Sequence, residues 1–139
     1  MSRINLARFV LGGVVAGIVI DAFEFIFNGI ALKQQVSELL ASLNRPMVGM
    51  KQVLWLGVLC LVLGCAAVWT YAAIRPRFGQ GPKTAVYAAI ITWITAFLVP
   101  DGFLVATGIL PLPLTMLALG VGLIETIAAT LVGAWLYKE

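Results

Sequence analysis

The chain contains no histidine. That removes the commonest metal ligand, any Ser-His or Cys-His catalytic pair, and ordinary haem ligation. Charge is scarce too: 11% of the 139 residues are charged, against roughly 25% in a soluble domain. There are two cysteines, Cys60 and Cys65. Their spacing fits no metal or redox motif, and on a helix they stand about 140° apart. They read as small apolar packing residues.

What the chain has in abundance is apolar side chain: 62% of residues are hydrophobic, and the mean hydropathy is +1.06. Such a chain cannot cover itself with polar groups in water. It reads as an integral membrane protein forming a single domain. The net charge is +3, but the basic residues fall mostly at the ends of apolar runs, where they anchor helices. No basic stripe with interleaved aromatics appears, so nucleic-acid binding is not expected.

Four apolar runs, at about residues 9–32, 53–74, 84–108 and 114–137, each approach the roughly 20 residues a membrane helix needs. The expected architecture is an all-α bundle of four antiparallel transmembrane helices. The third run is interrupted by Pro100-Asp101-Gly102. Either its helix kinks there and carries on, or the segment beyond re-enters the membrane or lies on its face. Between runs one and two, Val36, Leu39, Leu40 and Leu43 follow i, i+3, i+4, i+7 spacing. That predicts a short amphipathic helix over about 34–44 at the outer interface. RPRFGQGPK, at residues 75–83, reads as a tight connection with Arg75, Arg77 and Lys83 as topology and lipid anchors. It lacks the Gly-Lys-Ser/Thr ending of a phosphate-binding loop.

Basic residues set the orientation. With the N-terminus inside, the inner side holds Arg3, Arg8, Arg75, Arg77, Lys83 and Lys138, and the outer side Lys33, Arg45 and Lys51. Both termini are therefore expected in the cytoplasm. Trp69, Tyr71, Trp135 and Tyr137 fall near inner span ends and Trp55 near an outer one, as an interfacial belt would. Thr92 and Thr95 are expected to bond their own backbone.

Two stripes stand out. On span one, Gly13, Gly17, Asp21, Glu24 and Asn28 fall within an arc of roughly 80°. On span four, Ala118, Gly122, Glu125, Ala129 and Gly133 do the same. Small residues every fourth position let helix backbones approach closely, so spans one and four are expected to pack by these faces. Asp21 lies 13 residues after Arg8, and Glu125 lies 13 before Lys138. Equal depth follows, with Glu24 a turn further out, and three carboxylates should converge. No lysine or arginine lies at that level. Burial and like charge both disfavour full ionisation, so the cluster should hold a proton or a cation. Asp101 reads first as a turn residue, with a part in an outer vestibule as the alternative.

The stretch YAAIRPRFGQGPKTA, with the closing GAWLYKE, resembles small four-span membrane proteins of bacteria, along nearly the whole chain. That resemblance implies a bacterial inner-membrane protein and no activity. Small multidrug transporters are similar in size and in a membrane-embedded glutamate of the first span. The likeness is architectural and no residue carries over.

The leading expectation is a proton- or cation-linked transporter or channel subunit, with Asp21, Glu24 and Glu125 binding the ion and Asn28 a neutral ligand on the outer approach. The alternative is an accessory subunit of a larger complex whose acids form a packing network. Besides lipid, a second copy or another membrane subunit is the expected partner. No enzyme activity, cofactor or metal is expected.

Overall fold

The computed structural model describes residues 4–137. Arg3 and Lys138, two of the topology anchors, lie outside the described residues. The elements are α1 (Leu6–Ile26), a π-turn (Phe27–Ala31), α2 (Lys33–Ser42), α3 (Met50–Phe78), α4 (Pro82–Trp93), a second π-turn (Ile94–Leu98), α5 (Val99–Ala106) and α6 (Leu112–Leu136). Continuous helical runs at Leu6–Ala31, Met50–Phe78, Pro82–Ala106 and Leu112–Leu136 are each long and apolar enough to cross a membrane. At 1.5 Å per residue each exceeds a hydrocarbon core of about 30 Å, which tilt absorbs. Among the described residues there is no strand, as a bilayer requires of a chain that cannot close a barrel.

Local chemistry explains the boundaries. Asn5 caps α1 by accepting a hydrogen bond from the Arg8 N–H at 3.2 Å. Asn44, at φ +52°, closes α2, with Asn44 N–H donating to Ala41 O and Arg45 N–H to Leu40 O. This Schellman arrangement satisfies two carbonyls that the helix end would leave free. The helix of the third span carries on past Pro100 and does not re-enter. Proline offers no N–H, and the preceding π-turn takes up the mismatch by bonding Val99 N–H to Ile94 O. The run then stops at Gly108, φ +74°, where Gly108 N–H reaches Val105 O and Ile109 N–H reaches Leu104 O. Gly108→Ala should therefore cost about 1 kcal/mol, the penalty of a Cβ in the left-handed region. A lower thermal midpoint in detergent would show it.

Span two also runs beyond its expected end at residue 74. Pro76 sits in the last turn of α3, where it removes a single backbone bond, and the helix reaches Phe78.

Span one packs on α3 and α6, and α4 packs on α6 and α3. Buried positions are distributed unevenly along the bundle. In α1 they run from Gly12 to Ile20, in α3 from Gly64 to Ala72 and in α4 from Thr84 to Thr92. All lie in the half of the bundle nearer the termini. Only α6 is buried along its length, from Thr115 to Ala134. The half nearer α2 is looser: Met50, Leu54, Trp55 and Val62 of α3 are all exposed.

The terminal half is held by close backbone contacts. A Cβ on Gly64 would lie 2.5 Å from both Gly13 O and Gly17 Cα, and one on Gly17 would lie 2.5 Å from Leu61 Cα. Gly13 and Gly17 therefore face α3, whereas the sequence pattern aims them at span four. Spans one and four do meet, through Gly12 and Ala16: a Cβ on Gly12 would stand 2.6 Å from Gly133 O, and one on Gly133 3.1 Å from Ala16 Cβ. Span one carries two small stripes side by side, and each takes a different neighbour. Of the other small positions on span four, Ala129 is fully buried in the core cluster and Ala118 is half-buried.

The aromatic belt needs revision at the terminal end. Trp69 and Trp135 are exposed, as a belt requires, but Tyr71 and Tyr137 are buried in the core and meet edge to face at 6.2 Å. Tyr71 lies on the same buried face of α3 as Gly64 and Ala67, which points it inward. Its hydroxyl accepts the Gly81 N–H at 3.3 Å, and the Arg75 guanidinium lies 5.6 Å from the Tyr137 ring centroid. Arg75 also donates to Gln80 Oε1 at 2.6 Å, Lys83 sits over Tyr87, and Arg77 is exposed. Removing the hydroxyl in Tyr71→Phe should cost about 1 kcal/mol by orphaning that N–H. The measurement is the thermal midpoint against wild type.

Candidate functional site

Just beyond the tight half of the bundle sits a pair of carboxylates from facing helices. Glu125 of α6 is fully buried, at 0% exposure. Glu24 of α1, half-buried, comes within hydrogen-bonding reach of it. Neither oxygen of Glu125 receives a donor from any described residue. The group facing it is itself a carboxyl, which accepts and cannot donate unless it holds a proton. On its other side Glu24 accepts a hydrogen bond at Oε2 from Nδ2 of Asn28, one turn on. Asn28 is exposed. A polar line therefore runs from the surface through Asn28 and Glu24 to the sealed Glu125.

Asp21 does not join that pair. It lies three residues before Glu24, about 60° around the helix, and that rotation turns it to α3. There a Cβ on Gly57 would stand 3.5 Å from Asp21 Oδ1, and Cys60 lies one turn along the same helix. The expected meeting of three carboxylates is a meeting of two, with the third one turn nearer the termini and facing another helix. Asp21 still acts on Glu24 through space.

Asp101, expected in a turn or in an outer vestibule, lies in the first turn of α5, half-buried, and acts on Glu24 through space. PDG in a sequence suggests a loop, and here it lies within a helix that continues through Pro100. Cys60 was read as plain packing, and its place beside Asp21 had no signal in its spacing.

The surroundings separate the two sides of the pair. Phe97, carried on the second π-turn, covers Gly122: a Cβ there would meet its ring at 3.2 Å. Trp93 donates its indole N–H to Leu119 O at 3.0 Å, tying α4 to α6. Towards the termini the neighbours are dry, with Ala16, Ile20, Val68 and Ala129 all at 0% exposure. Thr126 and Thr130 are equally buried, but each hydroxyl donates to its own helix, at Gly122 O and Thr126 O. Thr92 and Thr95 do the same at Ala88 O and Ile91 O. No group of three or more Cys, Asp or Glu among the described residues is arranged to hold a metal ion.

Chemically, two facing carboxyls in a low-dielectric site cannot both ionise cheaply. An unpartnered charge at the helix centre costs about 3 kcal/mol even on the lenient insertion scale. One proton between the two oxygens, or one cation beside them, removes that cost. Compared with family models, curated proteins and solved structures, the chain matches none.

Proposed function

We propose that this four-span protein binds a proton or a small cation at Glu24 and Glu125 and couples that binding to transport, as a small transporter or channel subunit. The membrane is the bacterial inner membrane, with both termini cytoplasmic. The observation that carries the reading is Glu125, fully buried with neither oxygen receiving a donor from a described residue, and with a second carboxyl against it. Natural chains seldom keep an uncompensated acid in a membrane helix unless a bound ion completes it. Asn28 holds Glu24 at the entrance, and Asp21 lies one turn away against Gly57 of α3.

The test is flux in proteoliposomes under an imposed pH or cation gradient, comparing wild type, Asp21→Asn and Glu125→Gln. Gradient-driven flux in wild type that collapses in Glu125→Gln supports the reading. Identical pH and ion dependence in all three sinks it.

A second reading is an accessory subunit of a larger membrane assembly. It is favoured by the exposed half of α3 nearest α2, where apolar side chains face outward on most sides. Co-purification with other polypeptides in fixed ratio after mild solubilisation, together with no flux by the isolated protein, would favour it over transport.

A further inference from the structure

The proposed site leaves open which ion it takes, and its geometry narrows the choice. Glu125 itself has no exposed surface. A dehydrated sodium or calcium ion needs about six oxygen ligands, whereas Glu125 meets a single carboxyl partner. The ionisable groups that act on the pair through space are Asp21 from α1, Cys60 from α3 and Asp101 from α5. Beyond Lys83, α4 has one ionisable side chain, Tyr87, which packs on Phe78 towards the termini. Among the described residues no cation completes the site, and the one ligand that needs neither a cavity nor a ligand shell is a proton.

The way in is equally limited. Towards the termini lie fully buried Ile20 and Ala129. Towards α2 lies exposed Asn28, bonded to Glu24.

We infer that the ligand is a single proton shared between Glu24 and Glu125, exchanged with the α2 face of the membrane past exposed Asn28. The inference rests on the ion-binding reading above. In the exchange a hydronium ion at the Asn28 end protonates the Glu24 carboxylate and leaves as water. Glu24 then shares the proton with Glu125, so one O–H bond forms for each that breaks.

Infrared difference spectra of the reconstituted protein between acid and alkaline pH test this. The expected result is a carboxylic-acid carbonyl band that titrates with pH, is missing in Glu125→Gln, shifts in Glu125→Asp, and is indifferent to sodium, potassium, magnesium and calcium. A pH step on the α2 face should move the band at least about tenfold faster than one on the other face, a barrier difference of about 1.4 kcal/mol. A band displaced by one of those cations overturns the proton assignment while leaving ion binding intact. A band that answers to neither pH nor cations overturns both. Equal rates from the two faces overturn the route.

Discussion

Glu125→Gln should give a folded protein whose gradient-driven flux has fallen by on the order of a hundredfold, the scale of losing one positioned proton-transfer group. Glutamine keeps the volume of the side chain, so Gly122, Thr126 and Ile20 need not move. Its amide can donate to the Glu24 carboxyl, supplying in neutral form the hydrogen bond that a shared proton makes. What it cannot do is release and regain that proton. Fold and function should therefore separate in this variant. Thermal stability in detergent should be unchanged or raised, by at most about 3 kcal/mol, the cost of an unpartnered acid in a membrane helix. Glu125→Ala is the informative contrast. It also removes the acid but leaves a void in a fully buried position, so it should lose both flux and stability. A stable Glu125→Gln protein with wild-type flux would show that the pair only holds the helices together.

Gly64→Val should be the most damaging substitution for the fold. Gly64 faces the backbones of Gly13 and Gly17, and even a bare Cβ there would come within 2.5 Å of Gly13 O. Backbone cannot step aside as the end of a flexible side chain can, so α1 and α3 must separate. Overpacking of this kind costs about 1–3 kcal/mol where neighbours can relax, and more where they cannot. Separation of α1 would also pull Glu24 away from Glu125. The expected result is aggregation or early unfolding on heating in detergent. Gly120→Val is the matched control, because a Cβ at Gly120 meets nothing within 4 Å. If Gly64→Val proves as stable as Gly120→Val, the close crossing of α1 and α3 is not what holds the bundle.

How far the site was legible can be followed through α1. The four-residue rhythm of Gly13, Gly17 and Asp21 was correctly read as a face that meets another helix. The partner was assigned to span four because Glu125 sits in a similar rhythm there. A second stripe, Gly12 and Ala16, lies about 100° around the same helix, and it is this one that meets Gly133. Two adjacent stripes of small residues have the same hydropathy and the same period. Only the fit of backbone against backbone distinguishes them. The same 60° offset that turned Asp21 to α3 left Glu24 as the acid facing Glu125. For Asp101 the sequence left a turn and an outer vestibule both open, because the π-turn that carries the helix past Pro100 leaves no mark in the composition of ITAFL.

The sequence by itself determined that the chain is helical, that four runs can cross a bilayer, and that acids lie within them without a basic partner. Those conclusions follow from backbone hydrogen bonding and hydropathy, which act residue by residue and do not depend on what lies across the interface. The tertiary structure decided which acid meets which, that Glu125 is sealed without a donor, and that the bundle is tight at its terminal end and looser around α2. In a membrane every outward face is apolar, so hydropathy carries no information about which helices touch. That choice rests on where glycine and alanine let backbones come within contact, a property of two surfaces together.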